Sequence, residues 1–124
     1  MTKKIKILII EDNLLDLEVI KYKIKTSLGH SIEIVSADSI EGAIQIILDN
    51  FLEPFNLVIL DLMLSDSVGL DSIDRIKDID STIPIIVYSG YKVNKCIQKL
   101  NVHGFISKDN ANWWSILLQY IRDI

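Results

Sequence analysis

The stretch V58-I-L-D-L-M-L-S-D66 decides how this chain is read. Four consecutive apolar residues, Leu57 to Leu60, run into a carboxylate, Asp61, and three more apolar residues follow it. An unpaired charge is costly to bury, so an acid in that place needs a cation, a metal or a function to compensate it. Continuous apolar runs of this length fit central parallel strands covered on both faces. "IKILII" (Ile5 to Ile10) and "IPIIVY" (Ile83 to Tyr88) have the same character. "SIEIVSA" (Ser31 to Ala37) alternates partly, as an edge strand does, and "GFIS" (Gly104 to Ser107) is a second short edge candidate.

Helical patterns separate these runs. Leu17, Ile20, Ile24 and Leu28 share one helical face, and Gly29 can end that helix. Ile40, Ala43, Ile44, Ile47, Leu48 and Phe51 make a second stripe. Asp38 can cap that helix, with Glu41 three residues on, and Pro54 stops it. Leu70, Ile73 and Ile76 mark a third helix that ends before Pro84; a short fourth is expected from about Lys92 to Leu100, and a last one from about Ala111. Strand and helix thus alternate five times. That order implies a doubly wound parallel sheet with right-handed crossovers and helices on both faces. In such sheets ligands bind at the carboxyl ends of the strands, near the point where strand order reverses.

With 124 residues, 49% hydrophobic and 24% charged, the chain fits one domain, residues 1–124, with a sizeable core. No long linker, repeat or low-complexity tract divides it. The net charge of −4 argues against direct nucleic-acid binding, which calls for a basic stripe. The single cysteine, Cys96, allows no internal disulfide and suits a reducing compartment, with the residue serving as a small packing group. No apolar run approaches the ~20 residues of a membrane span. The start, "MTKKIKILII", is interrupted at once by Glu11-Asp12 and lacks a small-residue cleavage site, so a signal peptide is the weaker reading and a cytoplasmic protein the expected one. His30 and His103 have no ligand spacing around them and read as surface imidazoles.

The acids fall at strand ends. Glu11 and Asp12 follow the first strand directly, and Asp61 ends the third. If those strands are neighbours, three carboxylates converge and repel one another. A divalent cation resolves the conflict, and hard oxygen ligands select Mg²⁺, Ca²⁺ or Mn²⁺. Taken alone, Glu11 and Asp12 could instead merely cap the first helix. Ser89 ends the fourth strand and Lys108 the fifth. A hydroxyl and an ammonium suit a phosphoryl oxygen, although Ser89 alone could be a turn residue beside Gly90 and Lys108 a solvated lysine. The argument rests on all four features falling on one side of the sheet.

These segments resemble the receiver domains of two-component response regulators, over essentially the whole chain. "ILIIEDN" is similar to that family's acid-pair segment and "DLMLSDSVGLD" to its phosphoacceptor segment. "IPIIVYSG" is similar to the strand ending in the switch Ser/Thr, and "GFISK" to the segment with the switch aromatic and the lysine. The resemblance implies a flavodoxin-like, five-stranded sheet in the order 2-1-3-4-5. It implies that Asp61 attacks the phosphohistidine of a histidine kinase or histidine phosphotransfer protein. Mg²⁺, or Mn²⁺, would be held by Asp12, Asp61 and the backbone carbonyl of Met63, with Glu11 acting mainly through water. Lys108 and Ser89 would bind phosphoryl oxygens, and Phe105 would turn inward as the switch aromatic. The chain would be a phosphoacceptor rather than an enzyme. Within these residues it would carry no output domain, as a stand-alone regulator or part of a larger one.

Three departures from that pattern carry expectations of their own. Ser65 stands where the family commonly has Pro, which loosens the loop but removes no ligand. Asp109 follows Lys108 where Pro is usual; a cis bond there costs ~2.5–4 kcal/mol, which leaves a trans bond and a differently aimed Lys108 open, with Asp109 competing for its charge. The stretch from Ser89 to Lys108 is short by roughly one helical turn, so the fourth helix should be short or irregular. The last helix carries two stripes: Trp114, Leu117, Leu118 and Ile121, and Trp113, Ile116, Tyr120 and Ile124. One should face the sheet. The other is either the edge of a broad core-facing surface or, through Trp113 and Tyr120, an interface for a second copy or an effector. Two rivals remain: a pseudo-receiver that binds partners without phosphorylation, and a hydrolase or phosphoryl-transfer enzyme, which would need an acid/base where Met63 stands.

Overall fold

The structure is a computed structural model that describes residues 4–67, 69–90 and 102–124. The expected fourth helix and Cys96 lie outside the described residues. Five strands, β1 (Ile5–Ile10), β2 (Ile32–Ala37), β3 (Leu57–Leu60), β4 (Ile85–Ser89) and β5 (Gly104–Ser107), form one parallel sheet in the order β2-β1-β3-β4-β5. Four α-helices are described: α1 (Leu14–Leu28), α2 (Ile40–Asp49), α3 (Asp71–Ile79) and α4 (Trp113–Arg122). This is the flavodoxin-like receiver fold.

Both faces of the sheet are buried, which explains why the strands read as continuous apolar runs rather than alternating ones. Ile7 and Ile9 point to one side and pack with Leu17, Ile20 and Ile24 of α1 and Leu117 and Ile121 of α4. Leu8 and Ile10 point to the other and pack with Ile40, Ala43 and Ile47 of α2 and Ile73 and Ile76 of α3. The chain goes from β1 to its neighbour β2 and then crosses to β3 on the opposite side of β1. Strand order therefore reverses between β1 and β3, the point at which sheets of this kind bind ligands beyond the carboxyl ends of the strands.

Several local expectations shift. The second helix stops at Asp49, so the tail of its apolar stripe is solvent-facing: Leu48 and Phe51 are exposed. Asn50 ends it early because its side chain is drawn away, its Nδ2 donating to the Ile46 carbonyl at 2.7 Å and its Oδ1 accepting from Lys6 Nζ at 2.8 Å. The cap of α2 is Ser39, whose Oγ accepts from the Gly42 amide at 3.0 Å, rather than Asp38. β4 begins at Ile85, not Ile83, and takes in Ser89; Pro84 has no N–H to give a ladder.

The second stripe of the last helix turns toward the body of the molecule. Trp113 stacks on Tyr88 with ring centroids 4.9 Å apart, and Trp113, Ile116 and Tyr120 are half-buried against the α1/α4 face of the core. Tyr120 lies over Gly104, where even one methyl group would collide with its ring. Ile124 stays exposed. Trp113 and Tyr120 thus have intramolecular partners, as the edge of a broad core-facing surface does. His103 is exposed at the start of β5. No helix among the described residues is long and apolar enough to cross a membrane.

Candidate functional site

Each residue at the carboxyl edge is placed by a strand that ends there. The Asp61 amide donates to the Ile10 carbonyl at 3.0 Å and the Glu11 amide to the Ala37 carbonyl at 3.0 Å, so both acids continue the sheet's hydrogen bonding by one residue. The Lys108 amide donates to the Ser89 carbonyl at 3.1 Å and does the same for β4 and β5. The structure therefore brings together Glu11, Asp12, Asp61, Ser89 and Lys108. Glu11, Asp61 and Ser89 are buried, while Asp12 is exposed at the rim.

Asp61 is the centre of the arrangement. Its Oδ1 accepts from Ser89 Oγ at 2.7 Å and from the Met63 amide at 3.0 Å, and its Oδ2 accepts from Lys108 Nζ at 3.0 Å. Ser89 Oγ in turn accepts from the Leu62 amide at 3.3 Å. Lys108 Nζ also donates to Glu11 Oε1 at 2.5 Å and to Asp16 Oδ2 at 2.8 Å. The Lys108–Asp109 bond is trans, as is every described peptide bond, and the ammonium still reaches the site. The competing acid is Asp16 of α1 rather than Asp109.

These contacts set the charges. Burial drives the Glu11 carboxyl up, the hydrogen-bonded Asp61 carboxylate adds to that, and together they outweigh Lys108 and push it to about 7. Burial would raise Asp61 too. Hydrogen bonds from Glu11, Ser89, the Met63 amide and Lys108 prevail, and hold Asp61 below the ordinary carboxylate range. Burial would lower Lys108, but its bonds to Asp16, Glu11 and Asp61 raise it, so it stays an ammonium. Of the two carboxyls, Asp61 is thus the one that gives up its proton more readily.

One oxygen from each of Glu11, Asp12 and Asp61 lies within 4.8 Å of the others. Three clustered carboxylate oxygens, with an excess of acid over base, fit a hard divalent cation.

The loop after Asp61 is pinned without a proline. Leu62 and Leu64 are buried, Gly69 (φ +81°) donates its amide to the Leu62 carbonyl at 2.7 Å, and the Ser67 and Ser72 hydroxyls are 2.7 Å apart. Only glycine adopts that φ without strain. Asp66 spans to α2, accepting from the Ile40 and Glu41 amides at 3.0 Å each. Phe105 is half-buried against the α2/α3 face of the core.

Sequence reasoning missed Asp16 and Asp66. A signal for Asp16 exists: residues 16, 20 and 24 follow one another by single turns, so Asp16 extends the buried stripe of Ile20 and Ile24 upward to the strand ends. Asp66 has no such signal, because its partners lie 26 and 25 residues away.

Solved structures share this fold. The phosphorylated cyanobacterial phytochrome response regulator RcpA is similar at 25% identity, covering 97% of this chain and 90% of that one, with a TM-score of 0.73. The N-terminal domain of an uncharacterised protein from Wolinella succinogenes is similar at 26% identity, with coverages of 96% and 92% and a TM-score of 0.76. A chain of the CheX–CheY complex with BeF₃ and Mg²⁺ from Borrelia burgdorferi shares the fold at 19% identity, with coverages of 98% and 89% and a TM-score of 0.80. No curated protein matches the sequence. The response regulator receiver domain model matches residues 7–113, and the chain belongs to that family.

Proposed function

We propose that this receiver domain is a phosphoacceptor switch in which Asp61 takes a phosphoryl group from the phosphohistidine of a histidine kinase or histidine phosphotransfer protein. A carboxylate oxygen of Asp61 forms the new bond to phosphorus, the P–N bond breaks, and the imidazole nitrogen leaves with the electron pair and takes a proton. The observation that carries this reading is the state of Asp61: a buried, ionised carboxylate with a hydroxyl, an amide and an ammonium on it and two more acids beside it.

Glu11, Asp12, Asp61 and the backbone carbonyl of Met63 are the groups that would hold Mg²⁺, and Mn²⁺ suits the same oxygens. When bound, the ion offsets charge on the transferring phosphoryl group. Lys108 pairs with a phosphoryl oxygen, and Ser89 moves its hydrogen bond from Asp61 to another. That shift opens room for Phe105 to turn inward, which carries the local charge change to the surface beyond β4 and β5. The reaction ends on the protein itself, so the chain acts as a switch rather than as an enzyme, and we place it in the cytoplasm with the kinases that would serve it.

The test is incubation with acetyl phosphate and Mg²⁺, read by intact-protein mass spectrometry. A gain of one phosphoryl group, lost on omission of Mg²⁺ and in Asp61→Asn, is the expected result. No Mg²⁺-dependent gain in the folded protein, together with no response to beryllofluoride, would replace this reading with that of a pseudo-receiver.

A further inference from the structure

We propose that Asp16 is a positioning residue that restrains Lys108 and limits how tightly the site holds a phosphoryl group; the proposal rests on the phosphoacceptor reading. A lysine ammonium has three N–H donors. Here three carboxylates surround it: Glu11 at 2.5 Å, Asp16 at 2.8 Å and Asp61 at 3.0 Å. Glu11 and Asp61 belong to the carboxylate cluster at the strand ends. Asp16 stands outside that cluster and comes from the first turn of α1.

Asp16 is held in place. Its amide donates to the Asn13 side chain at 3.0 Å, which caps α1. The path of Lys108 is constrained too: its ammonium lies 5.6 Å from the centre of the Tyr88 ring, and that ring is stacked on Trp113. A phosphoryl group on Asp61 brings new anionic oxygens but no new donor, so one of the three partners has to yield. Glu11 is buried, and Asp61 itself carries the phosphoryl group. The side chain of Asp16 is 36% exposed, so it is the partner that water can take over most cheaply. Asp16 therefore pulls Lys108 against the phosphoryl group, and its release frees the first turn of α1 from the end of β5.

The test is a beryllofluoride titration of the full chain at saturating Mg²⁺, followed by tryptophan fluorescence, with Mg²⁺ alone titrated in parallel. Asp16→Asn is expected to bind beryllofluoride about two- to fivefold more tightly than the unmodified protein, the scale of one partly exposed ion pair. Its Mg²⁺ affinity should hardly move, because Glu11, Asp12 and Asp61 are intact; a merely structural role would not split the two affinities. Asp16→Ser serves as a second replacement should the first fold poorly, and the same tightening is expected of it. Unchanged or weaker beryllofluoride binding in the folded variants overturns the proposal while leaving the phosphoacceptor reading standing. Failure of the unmodified protein to bind beryllofluoride overturns both.

Discussion

Two lysines lie at opposite ends of the sheet and are satisfied in opposite ways. Lys6, on β1, is buried, and its ammonium donates to Asn50 Oδ1 and to the Glu53 carbonyl, each at 2.8 Å, while resting 4.9 Å from the centre of the Phe55 ring. Its backbone amide is taken by the Asn56 side chain at 2.8 Å. Both hydrogen-bond acceptors of the ammonium are neutral, and together these contacts hold the α2–β3 connection against β1. Lys108 faces three acids instead, within a cluster that has more negative charge than it can neutralise. Balanced polar contacts close a structure. An excess of one charge at a strand end is a strain that the fold tolerates for a ligand.

The sharpest way to break this comparison is to remove the balanced lysine. Lys6→Ala strands two acceptors and exposes the apolar surface that its stem covers, so urea unfolding should show a loss of about 2–4 kcal/mol. Beryllofluoride binding by the molecules that remain folded should be unchanged. Lys108→Ala should instead lose beryllofluoride binding in the molecules that remain folded. A binding defect in Lys6→Ala would show that the two ends of the sheet are not separate in function.

The excess acid should also leave a mark on stability. Burial and the neighbouring Asp61 carboxylate push the Glu11 carboxyl in the fold up to about 7, well above its ordinary value of 4.5. A group whose folded pKa is raised contributes stability that is complete below the unfolded pKa and is lost as pH rises through the folded one. Without divalent cations, stability should therefore fall between about pH 5 and pH 8. Glu11→Gln, which stays neutral throughout, should flatten that decline. An equal decline in Glu11→Gln would assign the effect to another group. No matching dependence is expected from the contacts at the Lys6 end, where the ammonium donates to an amide oxygen and a backbone carbonyl.

Much of this contrast can be read in the chain before it is folded. The central strands are legible because burial on both faces leaves unbroken apolar runs, as in Leu57 to Leu60. Glu11, Asp12, Asp61, Ser89 and Lys108 are legible because each breaks a run at its end, and the order of elements puts all those ends on one side. What stays hidden is made by pairing across distance. Asn50 stops α2 four residues before Pro54 because it is recruited by Lys6, 44 residues earlier in the chain. Asp16 reaches Lys108 across 92 residues. Periodicity places Asp16 on the buried stripe of α1 but does not name its partner, nothing local marks the Asn50 contact, and both polar ends of the sheet depend on such pairs.

Asp66 gives the smallest expected effect and separates two uses of a carboxylate near the site. Its oxygens take the amides of Ile40 and Glu41 at the start of α2; burial would raise its carboxyl, but those amides together outweigh burial and hold it below its ordinary pKa. Beside it, Arg75 of α3 pairs with Glu41. Asp66 thus ties the loop after Asp61 to α2 as an N-terminal cap does, in addition to Ser39. Asp66→Ala should cost about 0.5–1 kcal/mol in urea unfolding, the lower part of the range for losing a cap, because Ser39 remains. Acceptance of a phosphoryl group from acetyl phosphate should persist, since Asp66 touches none of Asp61, Ser89 or Lys108 among the described contacts. A fall in phosphorylation larger than the fall in stability would mean that the tie to α2 sets the position of Asp61, and that the acid next to the site belongs with the excess charge rather than with the balanced contacts.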